Sequence, residues 1–99
     1  MWGADDIAAA NAAIRLGAER LPPPGARIRW RPWSIDDGVL DGTVQMIHPR
    51  PWDEGQVVVL DDAYDRPNGR GVWRVEPRRI VCLLSIPSDA PPFDEWLEP

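Results

Sequence analysis

Lysine is absent from this 99-residue chain, and all eleven basic residues are arginine. With Ala, Gly, Pro, Trp and Asp all frequent, such usage fits a GC-rich genome, bacterial or phage, and says little about arginine chemistry in itself. Cysteine occurs once, at Cys82, which excludes an internal disulfide. Its place in an alternating apolar run suits a small buried residue. Histidine also occurs once, so a Ser/His/Asp or Cys/His constellation would have to recruit His48, for which the sequence singles out no partner. One His and one Cys make no zinc pattern. The pairs Asp36-Asp37 and Asp61-Asp62 lack the ordering of a calcium loop. Gly69-Arg70-Gly71 precedes a strand pattern where a phosphate loop would precede a helix. No catalytic, metal or cofactor residues are expected, and the reading is of a protein that is not an enzyme.

Long apolar runs are missing as well. The longest, at residues 57–60 and 80–84, fall far short of the roughly 20 residues a membrane-spanning helix requires. Asp5 and Asp6 stand where a signal peptide would be apolar. A cytoplasmic location is the expectation, with no membrane partner.

What the chain does have is local patterning. Residues 4–20 have a helix composition, with Asp5 and Asp6 at the positive end of the dipole. Ile7, Ala10, Ile14, Gly17 and Leu21 recur at spacings of three and four, forming one apolar face. Pro22-Pro23-Pro24-Gly25 stops the helix. From Arg27 the period becomes two: Ile28 and Trp30 face one way, Arg27, Arg29 and Arg31 the other. Residues 34–42 read as a loop. Further strands are expected at 43–48, 56–60, 71–75 and 80–84, with Asn68-Gly69 a strong turn signal and residues 76–79 a tight turn. The expected division is an N-terminal helix and Pro-rich linker at 1–25, a β unit at 26–84 and an acidic tail at 85–99. In the tail, Phe93, Trp96 and Leu97 fall at helical spacing.

Four strands joined by loops, then a single turn introduced by Pro77 into a fifth strand, resemble the SH3-like small β-barrel, in the manner of Tudor-like and KOW-like modules. The resemblance covers residues 26–84 and is one of topology. It implies a mainly β fold with an N-terminal α-helix, a small five-stranded barrel and a short helical or extended C-terminal tail.

Net charge is −5, which disfavours non-specific nucleic-acid binding. The charge is blocked, however, with arginines at 27–31 and 66–79 and acids at 36–65 and 89–98. Two surfaces follow. The loops expected on one side of the barrel carry Trp33, Trp52, Asp53 and Tyr64, and an aromatic, acidic surface suits a cationic or Pro/Arg-containing peptide. With the tail anchors Phe93, Trp96 and Leu97 they form the expected partner-binding set. Alternatively, Arg27, Arg29, Arg31, Arg74, Arg78 and Arg79 form a nucleic-acid face, against which stands a solvated arginine face partly neutralised by the tail. The expectation is a protein-interaction module or accessory subunit of an intracellular assembly, bound to another protein or a second copy. A KOW-like nucleic-acid-associated module is the other reading.

Overall fold

The computed structural model describes residues 2–32, 38–48, 55–62 and 71–99. Helix α1, Ala4–Arg15, opens the fold. The Asp6 carboxylate accepts the Gly3 N–H at 2.7 Å, which fixes the first turn. The helix ends at Arg15, short of residue 20, because Gly17 adopts φ +94°, a left-handed conformation that only glycine takes without steric cost. The Ala18 N–H then donates to the Ala13 carbonyl and the Gly17 N–H to the Ile14 carbonyl, both at 3.0 Å, a Schellman closure. Gly17, expected on the apolar face, is the terminator instead.

Five strands follow: β1 Arg27–Trp30, β2 Leu40–His48, β3 Gln56–Asp61, β4 Val72–Val75 and β5 Ile80–Ser85. Every pairing is antiparallel, in the order β4-β3-β2-β1-β5. The fold is therefore mainly β behind one N-terminal helix, but the sheet is open and not the closed small barrel expected, because among the described residues no pairing joins its edges β4 and β5. The chain leaves β4 through a single 3₁₀ turn, Pro77–Arg79, which carries it to the free side of β1. There the Arg31 N–H donates to the Arg79 carbonyl at 2.9 Å, and β5 pairs with β1 through two register shifts.

Strand β2 begins earlier than the alternation suggests. Leu40, Asp41 and Gly42 pair with β1, so Gly42 lies in the sheet and not in a loop. A Cβ at Gly42 would overlap the Leu60 carbonyl oxygen and lie 2.7 Å from Val59 Cγ1, so glycine permits the close approach of β2 to β3.

Ile28 and Trp30 of β1 are fully buried with Val44, Val57, Val59 and Val75, and Ile80 and Leu83 complete the strand side of the core. Removing each such side chain from water contributes about 1.5–3 kcal/mol. Ala10 of α1 is buried against this core, with Ile7 and Ile14 packed beside it. The helix is also pinned by Asn11: its Nδ2 donates to the Leu83 carbonyl at 3.1 Å, and its Oδ1 accepts the Leu83 N–H at 2.7 Å. Cys82 is half-buried opposite Arg29, not enclosed in the core as its apolar run suggested.

Beyond β5 the chain folds back over α1. The tail, expected to be helical or extended, forms one 3₁₀ turn at Phe93–Glu95, after which Trp96 returns to an extended conformation and lets Leu97 bridge to Leu21. The Leu21 N–H donates to the Leu97 carbonyl at 2.8 Å. Trp96 is only 5% exposed and belongs to the same core cluster as Ile28 and Trp30.

Candidate functional site

Trp33, Trp52, Asp53 and Tyr64 lie outside the described residues. The other expected partner residues are in the tail. Trp96 is enclosed within the molecule, Phe93 is half-buried and Leu97 is 48% exposed.

The arginines expected to line one face are distributed as follows. Arg27 and Arg29 project from the side of β1 opposite Ile28 and Trp30, and both are met by carboxylates. Arg27 donates to Asp62 through two nitrogens at 2.9 and 2.5 Å and to Thr43 Oγ1 at 3.1 Å. Arg29 donates to Asp41, its register partner on β2, at 2.7 and 3.1 Å. These hydrogen bonds hold the Asp62 and Asp41 carboxyls below the usual range and raise both guanidiniums above theirs. Neutralisation thus comes from the neighbouring strand and the end of β3, not from the C-terminal tail, because cross-strand register places opposite charges side by side. Arg78 and Arg79 both approach Glu76, at 2.7 and 3.8 Å. Arg31 and Arg74 are exposed.

A second region, of whose lining the sequence had pointed only to Phe93, is a groove of about 740 Å³ between α1 and the returning tail. Its helix side carries Ala9, Ala10, Ala13 and Asp6, and its tail side carries Ala90, Pro92, Phe93 and Asp94, with Trp2 and Arg20 also lining it. The alanines share one side of α1 because positions three and four apart are neighbours on a helix. Trp2 is fixed by stacking on Trp96, centroids 5.8 Å apart, and its indole N–H is shared between the Ala90 and Pro91 carbonyls at 3.2 and 3.1 Å. Phe93 packs on Trp96 with centroids 4.9 Å apart. Arg20 lies over the Phe93 ring at 5.0 Å, donates to the Phe93 carbonyl at 2.8 Å and reaches Glu98 at 3.7 Å. The groove thus combines aromatic walls, a methyl floor and carboxylates on a fixed frame. A run of alanines at helical spacing and the tail anchor Phe93 were its sequence signals; that the two lie opposite one another belongs to tertiary structure.

His48 is half-exposed at the end of β2, opposite Gln56. Among the described residues, no three His, Cys, Asp or Glu side chains gather closely enough to hold a metal ion, and no helix is long and apolar enough to cross a membrane. Compared with family models, curated proteins and solved structures, the chain matches none.

Proposed function

We propose that the protein is a non-enzymatic interaction module, or a small accessory subunit of an intracellular bacterial or phage assembly, and that the groove between α1 and the tail receives its protein partner. The observation that carries this reading is the groove's makeup. Aromatic rings and alanine methyls supply contact area, and few side chains must be ordered on binding. The strand order β4-β3-β2-β1-β5, with a 3₁₀ turn before β5, supports an SH3-like arrangement of the sheet. The nucleic-acid reading is weaker, because Arg27 and Arg29 are already engaged by Asp62 and Asp41, and a phosphate would have to displace those carboxylates.

The test is recovery of partners from the native host with three tagged forms: wild type, Ala9→Trp, which fills the groove, and Trp52→Ala, which alters the aromatic loop set. Ala9 is exposed on α1, so the substitution fits without disturbing the core. Loss of a specific partner with Ala9→Trp alone supports the groove. Loss with Trp52→Ala alone moves the interface to the loops and overturns the assignment.

A further inference from the structure

We infer that the groove is selective for a cationic segment of its partner, an Arg or Lys side chain resting against the Trp2 indole with its ammonium or guanidinium directed to Asp94. The inference rests on the groove being the interaction surface and adds the chemistry of what it holds.

Charge complementarity is the first support. Two carboxylates line the groove, Asp6 and Asp94, against one cation, Arg20. Arg20 is already occupied by the Phe93 carbonyl, the Phe93 ring and Glu98, so it offers little to an incoming anion. Asp6 is partly satisfied by the Gly3 N–H, and with Asp5 it offsets the positive start of α1. Asp94 is exposed, and no arginine among the described residues pairs with it. The groove therefore keeps an unneutralised negative charge beside aromatic rings.

The second support is that the molecule already uses this chemistry internally. Arg20 over Phe93, with its guanidinium on a backbone carbonyl, shows a cation accommodated by this aromatic cluster. Trp2 belongs to the same cluster, and indole is the strongest aromatic acceptor for a cation. The long aliphatic stems of Arg and Lys suit the alanine methyls, as amphipathic side chains lay apolar stems on apolar surface and keep the charge in water. A groove of about 740 Å³ accommodates a peptide segment more readily than a lone ion.

The experiment is a titration of the full-length, ¹⁵N-labelled protein with three capped pentapeptides, Ala-Arg-Ala-Arg-Ala, Ala-Glu-Ala-Glu-Ala and Ala-Gln-Ala-Gln-Ala, followed by amide and indole chemical shifts. The expected result is that the arginine peptide alone shifts the Trp2 indole and the amides of Ala9, Ala13 and Asp94. Asp94→Asn should then weaken binding roughly two- to fivefold, the range of one exposed ion pair. Asp94→Lys should abolish it, with near-ultraviolet circular dichroism confirming that the aromatic cluster is intact. If the three peptides bind the groove equally, or Asp94→Lys binds as wild type does, the cationic preference is overturned while the groove remains the interaction surface. If none of the peptides shifts groove residues, or the arginine peptide shifts only the Asp41 and Asp62 region, the groove reading falls with it.

Discussion

Asn11 and Leu83 exchange both members of a hydrogen-bonded pair, the side-chain amide of the helix acting as a strand would toward the outer edge of β5. An edge strand exposes unpaired N–H and C=O groups that invite pairing with another chain. One asparagine satisfies Leu83 at the point where α1 crosses. Two register shifts between β1 and β5 surround this position, so the edge is also irregular.

Asn11→Ala should therefore destabilise the protein by about 1–3 kcal/mol, the cost of leaving partly buried backbone groups unsatisfied. Urea denaturation measures the loss, and faster exchange of the Leu83 amide locates it. A variant as stable as wild type would show that water replaces Asn11 without cost.

Gly42→Ala should cost about 1–3 kcal/mol, since the added methyl meets the Leu60 backbone, which cannot swing away as a flexible side chain would. Thermal melts compared with a Gly38→Ala control separate the two causes. At Gly38 a Cβ meets nothing within 4 Å, so the penalty there comes from φ +66° alone.

Trp96→Ala should lower stability by about 3–5 kcal/mol, the scale of a buried Trp truncation. Deleting residues 91–99 should lower it further, because Leu21 also loses its bridge to Leu97 and Arg20 its contacts with Phe93 and Glu98. Calorimetry together with light scattering checks both points. A stable truncated monomer would contradict the tail's place in the core.

Acid should weaken the sheet face. Asp41 and Asp62 are held below the ordinary carboxyl range by hydrogen bonds from Arg29 and Arg27. Groups with depressed folded-state values stabilise fully above the unfolded value, about 3.9, and lose that contribution as pH falls through the lower folded value. The expected result is a stability difference between wild type and the Asp41→Asn/Asp62→Asn double variant that is present at neutral pH, begins to shrink near roughly pH 4 and is lost only as pH falls on through the lower folded-state values. Since both pairs are exposed enough to be screened, 1 M salt should shrink the difference as well.

The periodicities of the chain carried much of this architecture on their own. Alternation at Arg27 to Trp30 separates arginines from core because successive strand residues face opposite ways, and Pro77 marks the 3₁₀ turn because it fixes φ and lacks an N–H. Local pattern also placed α1, but not its end, since Gly17 fits an apolar stripe and a left-handed terminator equally well until the Ala18 to Ala13 bond is formed. Everything that joins residues distant in the chain was decided by tertiary structure: Arg29 with Asp41 through strand register, Asn11 with Leu83 through the crossing of α1 over an edge, and Trp2 with Ala90 and Trp96 through the return of the tail. The groove is of this second kind. Its alanines are legible as a helix face, yet they become a floor only when Phe93 and Asp94 are brought opposite them. That placement depends on burying Trp96, a gain in apolar contact that no local propensity for helix in the tail could match.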